Sequence, residues 1–247
     1  MARIGTHNGI FHADDAFACY MLRTVLKGVA TIVRTRDNAV LETCDYVVDV
    51  GGVYDHAMRR YDHHQKGFAE KFKKDGGALL SAAGLVYRHH GRDVLIHVLG
   101  ETPAASELDE LYNFVYEKYV YVFDCIDTGV EQYPEKTETA YNLMNTSIFG
   151  MIARMNPTWR EEDADTDKRF EAAIDLCRIS FESFVRRQID VIKAREYVKK
   201  ALGEVGKAAR KEIFVLDKNM FYYQAMHPRS TDMLQAAPHR QPALPSS

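Results

Sequence analysis

Three short segments hold the side chains best suited to chemistry: His7-Asn8-Gly9-Ile10-Phe11-His12-Ala13-Asp14-Asp15, Val47-Val48-Asp49-Val50-Gly51-Gly52 and Tyr61-Asp62-His63-His64-Gln65. Asp49 stands inside an apolar run, where a carboxylate is costly to bury unless a cation or hydrogen bonds compensate. Taken alone, it also reads as a turn-bonding Asp at a strand end. His7 and His12, taken alone, read as ordinary loop or core histidines. Together, three separate segments deliver imidazole and carboxylate groups. That donor set suits a divalent transition metal such as Mn²⁺, with Mg²⁺, Co²⁺ or Zn²⁺ as alternatives. The four cysteines, Cys19, Cys44, Cys125 and Cys177, are scattered without a Cys-x-x-Cys pair. This argues against a structural zinc site or a disulfide frame and suits a reducing compartment.

The elements that must position these groups read as alternating strand and helix. Ala2–Thr6 is a strand, Asp14–Lys27 a helix with Phe17, Met21 and Val25 on one face, and Thr31–Thr35 and Tyr46–Val50 are short β-branched strands. Gly51-Gly52 stops the chain sharply. The first motif then lies between a strand and a helix, at the carboxyl end of a parallel strand, where ligands bind in such sheets. From Gly77 the pattern turns helical, and Ser106–Asp127 follows the helical period closely. Residues 156–166 are polar and read as a linker or loop, and 167–205 as one or two long helices. Glu212–Leu216 reads as a further strand. The tail from Ala236, with Pro238, Pro242 and Pro245, reads as disordered. A second His pair, Arg88-His89-His90-Gly91, reads as a helix C-terminus, with cations on the helix dipole and Gly91 as the cap.

The chain has 247 residues, 46% hydrophobic and 27% charged, which excludes global disorder and fibrous repeats. No apolar run approaches the ~18 residues of a membrane helix. The start shows no signal-peptide or transit-peptide pattern, so the expected setting is intracellular: cytoplasm, nucleus or mitochondrion. The net charge of −3 does not mark a generic nucleic-acid binder, but it hides an asymmetry. Residues 1–167 hold 17 Lys/Arg and 26 Asp/Glu, whereas residues 168–218 hold 13 and 8. An acidic front and a basic back hint at two functional parts.

Thr6-His7-Asn8-Gly9, His12-x-Asp14-Asp15-Ala16, Ile32-Val33-Arg34-Thr35-Arg36-Asp37, Val48-Asp49-Val50-Gly51-Gly52 and Arg60-Tyr61-Asp62-His63-His64-Gln65 together resemble the melanocyte-proliferating-gene-one family. That family resembles the DHH phosphoesterases, which include RecJ-type exonucleases and manganese-dependent family II pyrophosphatases. The similarity runs in order through roughly residues 3–215. It implies an α/β fold: a mostly parallel sheet flanked by helices, followed by a helical linker and a shortened C-terminal region. The implied parts are a catalytic domain over 1–155, a basic helical linker and start of a C-terminal domain over 156–218, and a tail over 219–247.

The resemblance also implies two divalent metal ions, Mn²⁺ first, with Mg²⁺ or Co²⁺ as alternatives. His7, His12 and Asp49 would hold one ion. Asp14, Asp49, His63 and an acidic residue near the end of the 106–127 helix would hold the other. Asp127 and Asp124 compete for that last place. On a regular helix at ~100° per residue, the apolar stripe centres near Leu108 and Ile126, with Asp127 about 100° and Asp124 about 160° away. Asp127 is therefore the chosen ligand and Asp124 a solvated surface residue.

Two ions about 3.5–4 Å apart activate one water and offset charge on the phosphoryl oxygens. His64 would face the substrate phosphate, and Asp62 would orient the histidines. Arg34 and Arg36 would grip phosphate bidentately, or else form a solvated strand end. The expected substrate is single-stranded RNA or a short oligonucleotide, cleaved 3′–5′. The basic residues Arg186, Arg187, Lys193, Arg195, Lys199, Lys200, Lys207, Arg210 and Lys211 would contact its backbone or simply form a solvated face. The alternatives are a small-molecule phosphohydrolase acting on pyrophosphate or short oligonucleotides, and a truncated, non-catalytic relative that binds a partner. No membrane partner is expected, and a homo-oligomer is compatible with each reading.

Overall fold

The structure is a computed structural model that describes residues 1–74, 76–133 and 142–205. The first elements are β1 (Ala2–Thr6), α1 (Ala13–Val25), β2 (Ala30–Arg34), α2 (Asn38–Glu42), β3 (Tyr46–Val48), β4 (Tyr54–Asp55) and β5 (Arg60–Tyr61). Helices follow: α3 (Ala82–Leu99), α4 (Ala105–Val115), a π-helical turn (Tyr116–Val120), α5 (Tyr121–Asp127), a 3₁₀ turn (Met144–Thr146), α6 (Ile148–Ala153) and α7 (Thr166–Val205). The described residues divide into two units, with the boundary between Arg186 and Arg187. The polar stretch 156–166 lies inside the first.

The fold class is α/β, as the sequence implies. The sheet order is β2-β1-β3-β5-β4, parallel except for the edge pair β4–β5. One face carries α2, whose Leu41 packs with Cys44, Val47, Val50 and Val33. Gly5 lets α2 approach: a Cβ there would lie 2.9 Å from Leu41 Cδ2. The rest of the core is built on Phe17, Met21 and Leu22 of α1 and Leu85 and Leu95 of α3, all buried. Burying such aliphatic and aromatic side chains supplies the main driving force for folding.

The strand register decides where the chemistry goes. Gly5 pairs with Val47, Val47 with Arg60 and Val48 with Tyr61. His7, Asp49 and Asp62 each follow one residue beyond these parallel strands, so all three leave the sheet at its carboxyl edge. β3 ends at Val48, two residues short of the strand read from sequence, because Asp49 turns into left-handed backbone at φ 56°. Such a conformation is uncommon outside glycine, and it clusters at functional sites.

Two readings of the helices need correction. Gly91 does not cap a helix. α3 runs through it to Leu99, and Gly100 at φ 70° is the cap. Gly91 serves packing instead, since a Cβ would lie 2.9 Å from the Tyr112 ring and 3.0 Å from Tyr87. Nor does Asp124 lie on the surface. The π turn at Tyr116–Val120 inserts an extra residue and sets the helix phase back by about 100°. Val122 and Ile126 therefore turn outward, 42% and 41% exposed, while Phe123 and Asp124 are buried. Asp124 accepts from Ser81 N and Ser81 Oγ, both at 2.9 Å, and from Tyr116 Oη at 2.7 Å. Burial raises its pKa to about 6 against those bonds. Gly84 is required beside it, because a Cβ there would collide with the carboxylate.

Candidate metal centre

The carboxyl edge of the sheet, the start of α1 and the end of α5 converge on one cluster. His7 Nε2 lies 3.0 Å from Asp15 Oδ2 and 3.3 Å from Asp49 Oδ2. His63 Nε2 lies 3.0 Å from Asp127 Oδ2 and 3.3 Å from Asp49 Oδ1. Asp49 thus stands between the two imidazoles. Burial pushes its pKa up, but His63 and His7 outweigh that and hold it at about 2. Burial alone would lower both histidines. Asp15 and Asp49 raise His7, and Asp127 and Asp49 raise His63, each to about 10.

Asp14 is the unbalanced member. It is 1% exposed, and neither carboxylate oxygen has a hydrogen-bond partner among the described residues. Burial, then Asp49, Asp127 and Asp15, drives its pKa well above the usual carboxylate range. A buried carboxylate with no donor is costly, and a divalent cation held there would offset that cost. Asp49 Oδ1 and Asp127 Oδ2, also buried, likewise make no directed hydrogen bond among the described residues. Donor atoms of three groups lie within 4.8 Å of one another: His7, His12 and Asp49; His12, Asp14 and Asp127; and Asp49, Asp62, His63 and His64. Imidazole nitrogens and carboxylate oxygens without thiolate fit a divalent cation of the Mn²⁺, Mg²⁺, Co²⁺ or Zn²⁺ kind.

The first of these groups is the set expected for one ion. The others regroup the rest: His12 joins Asp14 and Asp127, while Asp62 and His64 join Asp49 and His63. Asp62 is buried and anchored, accepting from Gly52 N at 2.6 Å through Oδ2 and from His64 N at 3.1 Å through Oδ1. The His64 ring donates Nδ1–H to Asp62 Oδ1 at 2.8 Å while its side chain remains 61% exposed.

The structure departs from the sequence reading at one of the two arginines. The Arg34 side chain is only 3% exposed, and its guanidinium binds Asp167 at 3.0 Å and Gly9 O at 2.6 Å. It also stacks over Phe170 and Phe11. Arg34 is therefore neither a free phosphate grip nor a solvated strand end; it clamps the His7–His12 loop. Arg36 is exposed just beyond the same strand. Lys207, Arg210, Lys211, the strand read at Glu212–Leu216 and the tail lie outside the described residues.

Two residues of the site were given no role in the sequence reading. Asp15 is fully buried, faces His7, and caps α1 by accepting from His12 N at 3.0 Å and Ala16 N at 2.7 Å. An acidic residue three positions after a helix-opening residue is the signal that marks it. Asn156 bonds the Phe11 backbone beside His12. It left no signal, since it sits in a stretch that reads as loop.

Residues 3–235 match the MYG1_exonuc family, whose description reads "Uncharacterised protein family (UPF0160)". The chain belongs to this family. It is similar to the MYG1 exonuclease of Mus musculus, 42% identical over 212 residues, which covers 82% of this chain and 54% of the relative. The MYG1 exonuclease of Homo sapiens gives 42% identity, 82% and 55%. The MYG1 protein YER156C of Saccharomyces cerevisiae gives 38% identity over 191 residues, 74% and 56%. The chain thus spans about half the length of the curated relatives it matches. No solved structure matches it significantly. Among the described residues, no helix is long and apolar enough to cross a membrane.

Proposed function

We propose that this chain is a metal-dependent phosphodiesterase, a 3′–5′ exonuclease on single-stranded RNA or short oligonucleotides, working with two divalent cations, Mn²⁺ first among them. The observation that carries this reading is Asp14. It is a carboxylate buried without a donor, set among His7, His12, Asp49, His63 and Asp127. Membership in a family with curated members named exonucleases supplies the reaction class.

A divalent cation held by these donors would lower the pKa of a water and offset charge on phosphoryl oxygens. The chain's own side chains do the rest. Asp62, locked by the Gly52 amide, accepts His64 Nδ1–H and so orients the ring at the exposed rim, where Nε2, when it carries the second ring proton, donates to a phosphate oxygen or a leaving group. Asp15 lies against His7, and Asp127 and Asp49 share the space in front of His63 Nε2. Arg36, exposed beyond β2, is the arginine left to meet substrate phosphate.

The test is mononucleotide release from 5′-labelled single-stranded RNA in Mn²⁺, for wild type and His63→Ala, with pyrophosphate as a parallel substrate. A stepwise ladder that disappears in the variant is expected. Phosphate release from pyrophosphate alone, or an undiminished ladder in the variant, would overturn the reading.

A further inference from the structure

Beside His12, Asp14 and Asp127 opens a cavity of about 500 Å³. That is within the range of small-molecule sites. Its far wall is the 3₁₀ turn Met144–Thr146 with α6, and this wall is firmly built. Ser147 Oγ accepts from Gly150 N at 3.2 Å and donates to Met144 O at 2.7 Å. A Cβ on Gly150 would collide with the Met144 carbonyl, so turn and helix lie this close only because glycine stands there. Asn156, just past α6, bonds both backbone groups of Phe11 and ties the wall to the His7–His12 loop.

The lining is asymmetric. One end is the Asp/His cluster. The side is apolar: Phe149 packs on buried Phe123 with ring centroids 4.7 Å apart, and Ile126 and Met144 are exposed beside them. One cation, Arg154, lines the same space, and its guanidinium has no partner among the described residues. A compact inorganic polyphosphate would leave the apolar wall unused. A flat ring joined to a phosphate uses every part, because rings stack on aromatic faces and guanidinium pairs with phosphate oxygens.

We propose that this cavity is the subsite for one terminal nucleotide, with Phe149 against its ring and Arg154 on a phosphate oxygen, so that both determine specificity. The catalytic meaning of the subsite rests on the phosphodiesterase reading, but nucleotide binding can be measured without it.

Calorimetry on the full chain in Mn²⁺, titrating adenosine 5′-monophosphate and ribose 5-phosphate separately, tests the proposal. Wild type is expected to bind the nucleotide about tenfold more tightly than the sugar phosphate. Phe149→Leu should remove most of that preference. Arg154→Gln should weaken both probes about tenfold. Equal affinities in wild type, no binding of the nucleotide, or nucleotide binding unchanged in the variants would overturn it. Arg154 is exposed, so Arg154→Gln leaves the core intact and decides the matter should Phe149→Leu unfold. RNA hydrolysis measured on the same samples separates the two readings. The expected binding pattern without hydrolysis keeps the subsite and removes the phosphodiesterase. Hydrolysis without any nucleotide preference does the reverse.

Discussion

Asn156 brackets the backbone of Phe11 from 145 positions away in sequence: its Oδ1 accepts from Phe11 N at 2.9 Å and its Nδ2 donates to Phe11 O at 2.8 Å. The paired bonds fix the backbone one residue before His12. Each is worth about 1 kcal/mol net. Asn156→Ala should therefore cost roughly 1–3 kcal/mol in denaturant unfolding and weaken Mn²⁺ binding about tenfold by loosening His12. Unchanged metal affinity in a folded Asn156→Ala protein would mean that the loop holds His12 without this clamp.

Asp15 should act through His7. Asp15→Asn keeps an acceptor for the His12 and Ala16 amides but removes the charge 3.0 Å from His7 Nε2. Supporting residues of this kind typically change metal affinity 10–100-fold, so a loss of about that size is expected by calorimetry, with the fold retained. Asp15→Ala also removes the cap on α1 and should lower stability by about a further 1 kcal/mol. Wild-type Mn²⁺ affinity in Asp15→Asn would remove Asp15 from the site.

The histidines of α3 predict acid sensitivity. His89 Nε2 meets Tyr54 Oη at 2.8 Å, His90 Nε2 meets Tyr61 Oη at 2.8 Å, and the His56 ring stacks on His89 at 3.7 Å. Burial, then His56, Arg88 and His90, holds His89 down to about 4, with Glu70 opposing. A base whose folded pKa lies below its unfolded 6.5 is protonated first in the unfolded chain. The neutral cluster therefore costs nothing above pH 6.5, and stability drains away between pH 6.5 and 4. Melting of metal-free protein from pH 7.5 to 4.5 should fall less steeply in His89→Gln than in wild type. Parallel curves would show that His89 does not contribute.

The convergence of three His/Asp segments was legible because parallel strands deliver their ends to one edge, and β-branched runs ending in Asp or His mark such strands. The phase of the 106–127 helix was not. A π turn leaves the local apolar spacing looking regular while rotating everything after it, so Asp124 moved from surface to interior. Arg34 was misread because a guanidinium at a strand end looks free until Asp167 and Phe170, more than 130 residues later, are seen beside it. β4 and β5 have two residues each, too short for any alternation to register. Gly91 looked like a stop signal, but its meaning was tertiary, the approach of Tyr87 and Tyr112.

Asp14 tests the account most directly, because metal-free stability and metal binding should move in opposite directions there. Asp14→Asn removes a buried carboxylate that has no donor, so the metal-free variant should melt roughly 2–5 °C above wild type. Mn²⁺ at about a hundredfold its dissociation constant should stabilise wild type by about 2.7 kcal/mol and be reversed by chelation, whereas Asp14→Asn should gain little. The decisive measurement is thermal melting of wild type and Asp14→Asn, each with chelator and with Mn²⁺. A variant more stable without metal and nearly unresponsive to it is the predicted result. A variant less stable in chelator that still gains as much from Mn²⁺ as wild type would contradict the metal centre.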